Sequence, residues 1–200
     1  MRFEAVFDDE VLAAARRLLE LCRAQGLRIA TAESCTGGLV ASALTDIAGS
    51  SDIVDRGFVT YSNEAKIEML GVPKQLIMRQ GAVSEAVARA MAEGALAHSS
   101  ADLSVAVTGI AGPGGGSAEK PVGLVHFACA SNGQDTFHEA RKFGDPGRSE
   151  IRRRSVLVAL AMLEKAAAPT SPASGRRERP PSPLGRAKRG RKRGGGAHLG

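Results

Sequence analysis

The sequence predicts an α/β fold: a layered single domain with a mixed β-sheet flanked by helices. Three observations carry this. Segments with apolar residues at helical spacing alternate with short apolar runs through most of the chain. Two late strand-like runs are joined by Ser131-Asn132-Gly133-Gln134, whose Asn-Gly pair is a hairpin signal, so part of the sheet is antiparallel. Hydrophobic residues make up 43% of the chain and aromatics only 4%, so the core is built from Ala, Val, Leu and Ile.

The elements follow in order. Asp8 or Asp9 caps a first helix, with Val11, Leu12, Ala15, Leu18, Leu19 and Cys22 at helical spacing and Gly26 as its stop. Leu27 to Ala32 reads as a short buried strand, and Gly37-Gly38 leads into a helix over Leu39–Ile47. Gly57 to Tyr61 is strand-like. Asn63 can cap a short helix that carries Lys66 and ends at Gly71-Val72-Pro73. Ser84-Glu85 opens another helix, Leu103 to Thr108 is a strand, and a loop spans Gly109–Pro121. Val122 to Ala130 and Thr136 to Phe143 form the hairpin, and a last helix runs from about Pro146 to Ala167.

Composition changes after Ala168. From residue 169 onward there are nine Lys/Arg and one acidic residue, Glu178, a net charge of +8. The whole chain carries +6, so residues 1–168 carry −2. Residues 169–200, rich in Pro, Gly, Ser and Arg, cannot bury enough surface to offset their ordering entropy and are expected to be disordered. That tail is expected to bind nucleic acid nonspecifically at most. Cys22, Cys35 and Cys129 are scattered with no metal spacing, as in reduced cytoplasmic proteins. No leader pattern and no apolar stretch near 18 residues occurs, so no membrane association is expected.

Four segments could carry chemistry. In Thr31-Ala32-Glu33-Ser34-Cys35-Thr36-Gly37-Gly38 a strand end runs through small residues into a helix, exposing a side chain and free backbone N–H groups. Ser34 there can attack a carbonyl, and it fits equally well as an ordinary helix N-cap. Ala32 and Thr36 depart from the G-x-S-x-G elbow. Cys35 is a rival nucleophile without a nearby histidine in sequence. In Thr60-Tyr61-Ser62-Asn63-Glu64-Ala65-Lys66, a lysine beside a serine can act as a base if burial lowers its pKa, or it can be a solvated helix residue. Tyr61, the lone tyrosine, fits a site or a rim. Thr108-Gly109-Ile110-Ala111-Gly112-Pro113-Gly114-Gly115 follows a strand and can cradle an anion or be a surface loop; it is neither a Walker A loop nor a G-x-G-x-x-G fingerprint. Arg148 at the start of the last helix suits phosphate recognition, whereas Arg153 and Arg154 fit a solvated face.

Together with Gly81-Ala82-Val83-Ser84, these segments resemble, in order and spacing from about residue 10 to 166, the C-terminal domain of competence/damage-inducible protein CinA. The resemblance implies an amidohydrolase that converts nicotinamide mononucleotide (NMN) and water to nicotinate mononucleotide and ammonia, without cofactor or metal. It implies Ser34 as nucleophile, Lys66 as base and Tyr61 as an assisting hydroxyl. Substrate contacts are expected from Cys35, Thr36, Gly37 and Gly38, from Thr108, Gly109, Ile110, Gly112 and Gly114, and from Arg148. A pyridine nucleotide is the expected partner and a homo-oligomer the expected assembly. Many family members carry a larger N-terminal domain, and any activity tied to it is expected to be absent. The alternatives are a nucleotide-binding module without catalysis and a nucleic-acid-associated protein acting through its tail.

Overall fold

The computed structural model describes residues 6–169. The tail expected over 169–200 therefore lies, but for Pro169, outside the described residues.

Asp8 caps the first helix, α1 (Asp9–Gln25): its carboxylate accepts from the Val11 N–H at 3.0 Å, and Gly26 closes the helix in the left-handed region. The Leu27 N–H bonds back to the Cys22 carbonyl and the Arg28 N–H donates to the Asp102 carboxylate. Leu27 thus belongs to the cap and Arg28 bonds the residues leading into β3, and β1 (Ile29–Glu33) starts two residues later than the apolar run and ends one residue beyond Ala32. Then come α2 (Leu39–Thr45), a 3₁₀ turn (Ser50–Asp52), β2 (Val54–Val59) and α3 (Asn63–Leu70). Ser62, not Asn63, caps α3, its hydroxyl accepting from the Ala65 N–H at 3.0 Å. Seven residues form α4 (Lys74–Gln80), a helix the sequence reading does not contain. Pro73 starts it and Gly81 ends it, and a helix of two turns offers too few positions for a period to register. The chain continues through α5 (Glu85–Ala97), β3 (Leu103–Gly109), β4 (Leu124–Ser131), β5 (Phe137–Lys142) and α6 (Arg148–Ala167).

The five strands form one sheet in the order β2-β1-β3-β4-β5. β2, β1 and β3 are parallel, β3 and β4 are antiparallel, and β4 and β5 are antiparallel as the Asn132-Gly133 turn predicts. One sheet face carries Ile29, Val105, Val107, Val125 and Phe127 against α1, α2 and α6. The other carries Ala32, Ala106, Ala128 and Ala130 against α3, α4 and α5. Small side chains on that second face let α5 lie close, and the Ser104 hydroxyl reaches the Ala92 carbonyl at 2.6 Å. The approach of α5 to α3 leaves no room at Gly94, where a Cβ would sit 2.1 Å from the Leu70 carbonyl oxygen at the end of α3. Among the described residues no helix is long and apolar enough to cross a membrane.

Candidate active site

Parallel pairing gathers the chemistry. β1, β2 and β3 run the same way, and Glu33 at the end of β1 pairs with Val59 of β2 and Val107 of β3. The segments that follow these three strands therefore emerge at one sheet edge. Ligands in open α/β sheets bind outside the carboxyl ends of the strands, where neighbouring connections leave in opposite directions. The last rungs pin that edge: the Ser34 N–H donates to the Val107 carbonyl at 2.9 Å and the Thr60 N–H to the Glu33 carbonyl at 2.8 Å.

Ser34 and Lys66 meet there, with Lys66 Nζ 3.0 Å from Ser34 Oγ. Lys66 sits in the first turn of α3, so its side chain leans back toward the helix start. Nζ also lies 2.7 Å from the Thr60 carbonyl and 3.4 Å from the Ser62 carbonyl. Lys66 is only 1% exposed, which excludes a solvated helix lysine. Burial pushes its pKa below the ordinary lysine value, against the opposing influence of Cys35 and Glu64. Carbonyl oxygens only accept. A neutral Lys66 amine gives its two hydrogens to Thr60 and Ser62 and leaves its lone pair facing the Ser34 hydroxyl. That is the arrangement of a general base beside its nucleophile.

Cys35 is 7% exposed, and burial pushes its thiol up to about 12. It stays protonated near neutral pH and does not rival Ser34. Among the described histidines, His98 bonds the Gly94 carbonyl and His126 bonds His138; none of these contacts reaches Ser34 or Lys66.

The turn after Ser34 is arranged differently from a simple N-cap. The residue at the start of α2 is Gly38, and the capping group is the Glu33 side chain. Its fully buried carboxylate accepts from the N–H groups of Gly38 at 3.0 Å, Val40 at 3.0 Å and Ala41 at 2.9 Å. The Gly37 N–H donates to the Ser34 carbonyl at 3.1 Å. Gly37 and Gly38 thus have their N–H groups committed inside the protein. Among the described residues the Thr36 N–H meets no protein acceptor, and the Cys35 N–H meets none beyond its own thiol. These two are the donors free to hold a developing oxyanion beside Ser34.

The other expected substrate residues divide. Thr108 is buried and its hydroxyl donates to the Ala82 carbonyl at 2.9 Å. Gly109 has no room for a side chain, since a Cβ would lie 2.7 Å from Val125 Cγ2. Both backbone groups of Ile110 pair with the start of β4, so Ile110 builds the loop rather than presenting donors to it. Gly112 gives its carbonyl to Arg148 Nη1 at 3.0 Å, and Gly114 stands open with nothing near it. Arg148 Nη2 also lies 3.4 Å from the Tyr61 hydroxyl, which is 63% exposed. Arg148 therefore bridges the Gly-rich loop and Tyr61, while Arg153 and Arg154 form surface ion pairs with Asp8, Glu10 and Glu150.

Two residues at this edge carry no motif of their own. Glu33 was visible in sequence only as an acidic residue just ahead of a helix start, a favourable place for negative charge. Arg152 lies one helical turn after Arg148 and donates through Nη2 to the Thr36 carbonyl at 2.9 Å.

Comparison with known proteins identifies the family. The model of the CinA C-terminal domain family matches residues 12–167. A nicotinamide-nucleotide amidohydrolase, PncC of Escherichia coli K12, is 48% identical over 157 residues, covering 78% of this chain and 94% of that protein. A putative competence-damage inducible protein of Symbiobacterium thermophilum is 51% identical over 175 residues, covering 82% of this chain and 40% of that protein. The chain thus spans about two fifths of that longer relative. The crystal structure of a competence/damage inducible protein from Agrobacterium tumefaciens superimposes with a TM-score of 0.80 at 54% identity, covering 82% of this chain and 99% of that one.

Proposed function

The chain belongs to the CinA C-terminal domain family, and from that membership we propose that it is a serine/lysine amidohydrolase acting on nicotinamide mononucleotide. The observation that carries the proposal is the 3.0 Å contact between buried Lys66 Nζ and Ser34 Oγ.

The chemistry follows from the groups at hand. Lys66 takes the Ser34 proton as Oγ attacks the carboxamide carbon. The carbonyl oxygen becomes an oxyanion and accepts from the Cys35 and Thr36 N–H groups. One such donor is typically worth about 10²–10³ in rate. The C–N bond breaks, and the departing nitrogen takes the proton from the Lys66 ammonium, leaving as ammonia. A water then attacks the Ser34 ester with Lys66 again as base, giving the carboxylate product and free Ser34. Tyr61 assists as a hydroxyl at the mouth of the site, and Arg148 with the 108–115 loop holds the ribose phosphate.

Purified protein should release ammonia from NMN, and faster than from nicotinamide, its riboside or NAD. Ser34→Ala should lower the rate by at least about 10³-fold while leaving the melting temperature nearly unchanged. Undiminished ammonia release by the folded variant would remove Ser34 from the nucleophile role.

A further inference from the structure

The arginines of α6 have different fates. Arg153 and Arg154 are spent on surface carboxylates. Arg148 spans Gly112 and Tyr61. Arg152 instead reaches the turn that carries Ser34. Its Nη2 donates to the Thr36 carbonyl at 2.9 Å, and a Cβ on Gly37 would come 3.6 Å from the same atom. Arg152 forms no ion pair among the described residues, and its buried Nε has no hydrogen-bond partner. Holding a guanidinium partly out of water without a carboxylate is costly. A contact of architecture alone would be met at lower cost by a neutral donor.

The bonds continue from Arg152 toward the nucleophile. The Thr36 carbonyl belongs to the peptide whose N–H, on Gly37, donates to the Ser34 carbonyl at 3.1 Å. The Ser34 carbonyl belongs to the peptide whose N–H, on Cys35, has no acceptor beyond its own thiol among the described residues. Hydrogen bonds in series polarise one another: a peptide whose carbonyl accepts a charged donor presents a stronger N–H at its other end. We infer that Arg152 is a positioning residue for the reaction. It holds the Ser34–Gly37 turn and, through two peptide groups, strengthens the Cys35 N–H as donor to the oxyanion. The inference rests on the reading of Ser34 as nucleophile.

Two readouts on the full chain test it. In ammonia release from NMN, Arg152→Gln should lower kcat about tenfold or more with KM within about threefold, because the weakened donor acts on charge that appears only in the transition state. Arg152→Lys, which keeps the charge, should lose less. The second readout is the rate at which a fluorophosphonate probe labels Ser34, followed by mass spectrometry. There Ser34 Oγ bonds to phosphorus, fluoride leaves and the serine proton passes to Lys66, so no assumption about the natural substrate enters. Labelling should slow about tenfold in Arg152→Gln, and guanidinium ion at about 20 mM should restore part of it in Arg152→Ala, as an architectural role would not. Wild-type labelling in Arg152→Gln overturns the inference, as does no rescue in Arg152→Ala or a raised KM with unchanged kcat. Labelling of wild type without NMN hydrolysis would count against the substrate alone. A wild type whose Ser34 is not labelled removes the nucleophile reading and this inference with it.

Discussion

Lys66 concentrates the energetics of the site in one amine. Burial holds its pKa below the ordinary value of 10.5. The proposed mechanism requires the neutral amine, so kcat/KM for ammonia release should rise with pH along a limb whose midpoint lies below 10.5. Stability carries the same sign. Below the depressed folded pKa both the folded and unfolded states are protonated, and the folded protein bears the full cost of a buried ammonium. Between that pKa and 10.5 the unfolded chain binds more protons than the folded one, so stability rises with pH. Lys66→Met should abolish ammonia release and remove this alkaline gain. Denaturant unfolding of both proteins from pH 7 to 10 measures it; a wild-type curve that stays flat where the variant is also flat would mean Lys66 is not buried as an amine.

Ser34 and Lys66 ride on elements whose positions other elements set. Glu33 fastens the start of α2 by three backbone N–H bonds, which places the Ser34 turn. α3, which carries Lys66, is set at its far end by α5 through Gly94. Alanine is the better helix former there by about 1 kcal/mol. The lack of space decides the sign, because the added Cβ would lie 2.1 Å from a backbone oxygen, not from a yielding side-chain end. Overpacking of this kind costs about 1–3 kcal/mol or more. Gly94→Ala should therefore lower the melting temperature on the order of 5 °C and displace α3, so ammonia release falls as well. A variant as stable and active as wild type would show that α5 and α3 do not make this contact in solution.

At the scale of the molecule, the basic charge and the candidate site belong to different parts of the chain. Nine Lys/Arg lie beyond residue 168, whereas residues 1–168 carry −2. Under the proposed function, any charge-driven binding to polyanions would belong to the former and amide hydrolysis to the latter. A chain ending at Ala168 should keep ammonia release within about twofold and lose any salt-sensitive binding to DNA. Gel-shift titrations at several salt concentrations decide this; DNA binding that survives truncation would place the polyanion surface on the sheet-bearing part.

Local signals made much of this legible in sequence. The helix periods, Gly26, the Asn132-Gly133 turn and the apolar run at Leu103 are each encoded within a few residues, because caps, turns and periodicity are short-range physics. So are the motifs around Ser34, Lys66 and Thr108, each at or soon after a strand end. Other features were beyond that reach. α4 is too short to show a period. Ser34 read alone fits a helix cap, and only the folded chain shows that Glu33 caps α2 instead. Lys66 read alone fits a solvated surface; parallel pairing of β2 with β1 brings it 32 residues back onto Ser34, where it is 1% exposed. Arg152 meets Thr36 across 116 residues. The sequence by itself determined most of the elements and their order, and their boundaries to within a few residues. Tertiary structure decided which amine is dry, which N–H groups are spent and which are free, since burial and hydrogen-bond partnership are set by long-range contacts that no local pattern records.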